Sequence, residues 1–173
     1  MASPETLYHQ AVDDYGAALE RLARGYEADP DKRRDLLQEI HVALWRSFAG
    51  FDGRCSLRTW VYRVAHNRAI SYVRESHSRS PGATVEMEAA EIPAETESRE
   101  AAVDRTRARE RLMTLVQQLR PLDRQIVLLY LEGMDAANIG EIVGLSATNV
   151  GSKVHRLKAL LIEGVRKGGK HVG

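Results

Sequence analysis

A chain of 173 residues with 43% hydrophobic content can hold one domain or two small ones and needs no covalent staples to fold. Its single cysteine, Cys55, excludes an internal disulfide framework and fits a reducing cytosol. The opening MASPETLYHQ lacks the basic flank and apolar core of an export signal, and no run approaches the roughly eighteen apolar residues of a membrane span, so a cytoplasmic protein with no membrane partner is expected.

The net charge of +1 says little, but its distribution says more. Arg54 to Arg79 holds six arginines against one acid, Glu75; Pro81 to Glu100 holds six glutamates against one arginine, Arg99; Gly151 to Gly173 holds six Lys/Arg against Glu163. Two basic stretches therefore flank an acidic middle. In chain order, DLLQEIHVALWRSF places Leu36, Leu37, Ile40, Leu44 and Phe48 at helical spacing, and LRTWVYRVAHNRAISYVR repeats the habit with Leu57, Val61, Val64 and Ala65. Opposite that second stripe, Trp60, Arg63, Asn67, Ile70 and Arg74 share a face. Arginine, amide and aromatic together can grip a backbone and stack on an unpaired base; equally, Trp60 and Tyr62 can be partly core and the arginines a solvated face. Both readings stand on local rules.

PGATVEMEAAEIPAETESRE, with two prolines, small residues and clustered glutamates, cannot bury enough surface to offset its ordering entropy and is expected to be a flexible acidic linker, over 81–104, between helical domains at 1–80 and 105–173. Beyond it Leu112, Leu115, Val116 and Leu119 form one helical stripe that Pro121 stops, and Leu122 to Leu131 starts another that Gly133 ends. Next, Asp135 can cap a helix carrying Ile139, Ile142 and Val143; Gly144 supplies the left-handed residue that ends it; Leu145 packs the corner; Ser146 caps the following helix. That is the outline of a helix-turn-helix whose second helix buries Val150, Val154 and Leu157 and leaves Thr148, Ser152, His155 and Arg156 outward, although helix, glycine, helix also occurs in ordinary bundles. No strand-like alternation appears, so the fold class is all-α. The six histidines and Cys55 show no metal-ligand spacing, no glycine loop opens a helix after a strand, and no carboxylate pair sits on a pocket wall, so neither an enzyme nor a cofactor is expected.

DLLQEIHVALWRSFAGFDGRCSLRTWVYRVAHNRAISYVRE closely resembles the second conserved region of the extracytoplasmic-function sigma factors, and LRPLDRQIVLLYLEGMDAANIGEIVGLSATNVGSKVHRLKALL resembles their fourth, in the family's order and spacing. The resemblance implies a factor that recruits the bacterial RNA polymerase core through its beta-prime clamp and beta flap, reads a minus-thirty-five promoter element with the helix-turn-helix, and melts and reads a minus-ten element with the first domain. It implies a flipped-base pocket in FDGRCSL, so the minus-ten candidates are Phe51, Arg54, Ser56, Trp60, Arg63, Asn67 and Arg74; Phe51 can equally be a core plug. The minus-thirty-five candidates are Thr148, Ser152, His155 and Arg156 for bases, with Lys153 and Lys158 for phosphates. Asp31, Asp35, Leu36, Gln38, Glu39 and Trp45 are the polymerase-binding candidates.

Two departures from the family pattern stand out. Gly151 lies where the family usually has Lys or Arg, and DPDKRRDLLQE puts Lys32 and Arg34 where it is usually acidic. Repulsion from a basic clamp motivates a phosphorylation switch by a Ser/Thr kinase at Ser47, Ser56 or Thr59; the usual alternative is release from an anti-sigma factor. A helix-turn-helix regulator, or a sigma-like adaptor without initiation activity, would leave FDGRCSLRTWVYR idle.

Overall fold

The computed structural model describes residues 1–79 and 101–169, and within them every regular element is helical. Helix α1 (Pro4–Tyr26) begins where Ser3 accepts the Thr6 N–H at 3.1 Å and Pro4 supplies a first-turn residue that needs no donor. It buries Leu7, Ala11, Leu19, Leu22 and Tyr26 along one side. Helix α2 (Pro30–Ser47) starts on the Asp29 carboxylate, which accepts the N–H groups of Asp31 and Lys32 at 2.9 and 3.0 Å. Its Leu36, Ile40 and Leu44 are fully buried, and a 3-10 turn, Phe48–Gly50, tucks Phe48 beneath them. Helix α3 (Leu57–Arg79) presents Val61, Tyr62, Ala65, His66 and Ala69 to the same core. Inside it Tyr26 and His66 share a hydrogen bond of 2.7 Å between the phenol oxygen and Nδ1, and full burial pulls the His66 pKa down to about 3, so the imidazole is neutral.

The second bundle comprises α4 (Ala101–Gln118), α5 (Pro121–Leu131), α6 (Ala136–Val143) and α7 (Ala147–Gly169), closed around Val116, Ile126, Leu129, Ile139, Val150 and Leu157. Asp135 caps α6 by accepting the Asn138 N–H at 2.8 Å, Gly144 ends it at φ 77°, and Ser146 accepts the Asn149 N–H at 3.2 Å to start α7. Gly140 is needed for a second reason: a Cβ there would lie 2.4 Å from the Leu145 carbonyl oxygen, so the corner closes only over a glycine.

The two bundles meet along a seam between α1 and α3 on one side and α4, α5 and α6 on the other. Gly25 lets Leu128 approach to where a Cβ would be 2.6 Å from its methyl, and the Arg124 guanidinium lies 5.4 Å from the Tyr26 ring centroid. The all-helical expectation holds. Helix α1 was not singled out from the sequence, although its buried side is built from alanines as much as leucines at helical spacing. Of the linker expected over 81–104, residues 81–100 lie outside the described residues, and its last four, 101–104, already belong to α4.

Candidate nucleic-acid interfaces

The loop before α3 is shaped by its own side chains. The Asp52 carboxylate accepts the Arg54 N–H at 3.1 Å and pairs with the Arg54 guanidinium at 2.9 Å, Gly53 takes φ 75°, and Ser56 accepts the Thr59 N–H at 3.1 Å to open the helix. Phe51, half-buried, stands edge-on to Trp60 with ring centres 5.2 Å apart and to Phe48 at 6.4 Å. Trp60 is held in turn, because its Nε1–H donates to the Ser47 hydroxyl at 3.0 Å while that hydroxyl donates to the Leu44 carbonyl at 2.8 Å. An aromatic wall on a braced loop results, with Asn67 and Arg74 exposed further along α3. Such a wall can stack an unpaired base.

Two of the proposed phosphate acceptors are engaged within the fold. Thr59 is 3% exposed and packed under the helix start, so a phosphate there has no room, and a phosphate on Ser47 would break the bond that fixes Trp60. Ser56 is exposed, but its hydroxyl caps α3. Arg63 departs from the DNA-facing expectation in this closed arrangement: its guanidinium donates to the Glu141 carbonyl at 3.2 Å and lies 3.9 Å from the Glu141 carboxylate, across the seam.

On α2, Asp31, Asp35 and Gln38 are exposed, with Asp31 paired to Arg34 at 2.9 Å so that part of the departure from an acidic surface cancels locally. Leu36 is corrected from partner contact to core, being 0% exposed. The Glu39 carboxylate is gripped by Arg68, which also pairs with Glu75 at 3.2 Å, so Glu39 braces α2 against α3. Trp45 is 48% exposed and stands edge-on to Tyr8 at 5.3 Å, with Val42 exposed one turn before it. Val42 and Tyr8 were missed, the first because it falls off the buried stripe and the second because its helix was.

In the helix-turn-helix, Thr148, Ser152, His155, Arg156 and Lys158 are all exposed, while Lys153 is half-buried. Lys153 Nζ lies 3.2 Å and the Arg156 guanidinium 3.8 Å from the two oxygens of Asp123, so an acid at the start of α5 sets where both cations sit. Lys158 lies over the Tyr130 ring at 5.7 Å. A Cβ at Gly151 would meet nothing within 4 Å. Between α4, α5 and α7 an open apolar groove of about 450 Å³ runs past Leu112, Tyr130, Leu131 and Ile162. Among the described residues no group of His, Cys, Asp or Glu is arranged to hold a metal ion, and no helix is long and apolar enough to cross a membrane.

The family pattern for sigma-70 region 2 matches residues 11–79, and that for sigma-70 region 4 matches residues 109–161, together more than two thirds of the chain. The RNA polymerase sigma factor NccH of Alcaligenes xylosoxydans xylosoxydans is 27% identical over 157 residues, 89% of this chain and 84% of that protein. The RNA polymerase sigma factor YlaC of Bacillus subtilis is 27% identical over 172 residues, 95% of this chain and 93% of that one. Among solved structures, CnrH in complex with the cytosolic domain of CnrY superposes with a TM-score of 0.63 at 22% identity, covering 90% of this chain and 85% of that one. The sigma factor RpoE of Bartonella quintana, in complex with the anti-sigma factor NepR, gives 0.65 at 19% identity, covering 96% and 98%. These two share the fold.

Proposed function

Because the chain belongs to the sigma-70 family, in its extracytoplasmic-function branch, we propose that it is an alternative sigma factor that binds the RNA polymerase core and directs promoter-specific initiation, reading the minus-ten element with the 51–56 loop and α3 and the minus-thirty-five element with α7. It supplies no catalytic group of its own; the polymerase makes the bonds. The observation that carries this reading is the pairing, in one chain, of the braced Phe51–Trp60 wall, and the Asn67 exposed two turns further along α3, with a helix-turn-helix whose Thr148, Ser152, His155 and Arg156 are exposed on one helix.

Base flipping without nucleotide hydrolysis costs a few kcal/mol of stacking, and a stacking wall can return it. On the polymerase side, the exposed Val42 and Trp45 of α2 would meet the beta-prime clamp, and the groove beside Tyr130 and Ile162 the beta flap. Regulation through an anti-sigma factor fits the solved relatives, two of which are held by partner proteins. A helix-turn-helix regulator or an adaptor without initiation activity is not favoured, since either leaves the Trp60 surface without a role. The test is transcription in vitro with core polymerase on genomic fragments, read by start-site mapping. Starts that depend on the chain support the reading, and none above core alone would overturn it.

A further inference from the structure

Across the seam lies a cluster of cationic donors that the nucleic-acid surfaces above leave out, with Arg21 exposed at its edge and Arg58 half-buried. Arg21, from α1, makes a two-pronged bond to Glu132, its Nε and a terminal nitrogen donating to the two carboxylate oxygens at 2.7 and 2.9 Å. The Tyr62 hydroxyl donates to the same carboxylate at 3.4 Å, and Arg58 donates to the Glu132 main-chain carbonyl at 2.7 Å while lying 5.8 Å from the Tyr62 ring. Glu132 is the C-cap residue just past α5, in the helix-turn-helix bundle, and the side chains that grip it come from the other bundle. Arg58 stands two residues before Trp60, and Arg63, one turn on, is taken by Glu141 in the same way.

We propose that Arg21, Arg58 and Tyr62 form a binding site for a DNA backbone phosphate, filled in the closed chain by the Glu132 carboxylate and carbonyl, which stand in for phosphate oxygens and withhold the site until the two bundles part. The proposal rests on the assignment of α3 to the melted minus-ten strand. A planar guanidinium grips carboxylate and phosphate through the same paired N–H geometry, so a carboxylate so gripped marks a position a phosphate can take. The seam is also imperfectly satisfied: Arg124 is 7% exposed and its Nε has no hydrogen-bond partner among the described residues, which favours parting.

The experiment measures binding of a fluorescent mixed-sequence single-stranded oligonucleotide to the full chain and to its complex with core polymerase. If the closed form predominates, Glu132→Gln with Glu141→Gln should tighten binding by the free chain about tenfold or more. The gain should vanish on an oligonucleotide with uncharged methylphosphonate linkages. Arg21→Glu, which breaks the same latch from the other side, should open the chain without that gain, a difference that separates phosphate binding from mere opening; thermal melting checks that each variant is folded. In the polymerase complex, Arg21→Ala with Arg58→Ala should flatten the salt dependence by about 0.7 in log–log slope, the value for one lost phosphate contact on a single strand. Unchanged binding in the glutamine pair, or an equal gain on the uncharged oligonucleotide, overturns the proposal. A glutamine-pair gain in a chain that supports no transcription would keep the phosphate site and remove the sigma-factor reading.

Discussion

Arg156 and Lys158 are both exposed cations on α7, yet they should behave differently when removed. Arg156 has a planar fork and shares Asp123 with Lys153, so its pose is restrained; Arg156→Ala should lose about 1–3 kcal/mol of discrimination between matched and mismatched minus-thirty-five duplexes. Lys158→Ala should weaken all sequences alike and reduce the salt slope by about 1. Titrations on both duplexes across a salt series distinguish the two, and equal losses for Arg156→Ala on both would demote it to a phosphate contact. At Gly151 the open space predicts that Gly151→Arg is accommodated, adds a phosphate contact and removes a helix-interior glycine worth about 1 kcal/mol, so both affinity and melting temperature should rise. His66 gives a pH prediction. Its pKa falls from an ordinary 6.5 to about 3 on folding, so below 6.5 the unfolded chain takes up a proton that the native chain does not. Stability is therefore whole above pH 6.5 and declines as pH falls, by about 2 kcal/mol at pH 5. Melting followed from pH 7 to 5 should show that slope, and His66→Gln, which can still accept the Tyr26 hydrogen bond, should flatten it.

At the scale of elements, α2 shows how a periodic stripe separates into two roles. Leu36→Ala should cost about 2–5 kcal/mol of stability because the site is fully buried. Trp45→Ala should leave melting nearly unchanged while weakening polymerase binding by about 2 kcal/mol, as an exposed aromatic anchor does. Calorimetry and a polymerase pull-down on the same two variants check the pair. The periodicity set Leu36 on the apolar stripe, while the resemblance put both Leu36 and Trp45 among the polymerase contacts, because a resemblance marks positions and not the direction in which a side chain points. In α3 the periodicity predicted an outward face that holds only in part: Asn67 and Arg74 are exposed on it, while Trp60, Arg63 and Ile70 are half-buried and Tyr62 lies in the core. What it could not carry was the Ser47–Trp60–Phe51 brace, which joins residues from three separate elements. Trp60→Ala or Asn67→Ala should leave core binding near normal and reduce permanganate reactivity of unpaired promoter thymines.

For the whole molecule, the helix-turn-helix was legible because each corner has a local chemical cause: Asp135, Gly144 and Ser146 act on neighbours within a few positions. The seam was illegible for the converse reason. Arg21 and Glu132 are 111 positions apart, and nothing in either neighbourhood announces the other. On the proposed function the two surfaces act together as one initiation factor. Start-site mapping in vitro, with core polymerase and either the native chain or its Asn67→Ala and Arg156→Ala variants, tests it directly. The predicted result is a set of chain-dependent starts preceded by two recurring elements, with Asn67→Ala suppressing all starts and Arg156→Ala suppressing those with the best upstream match. Chain-dependent starts that are indifferent to both substitutions, or no starts above core alone, would contradict it.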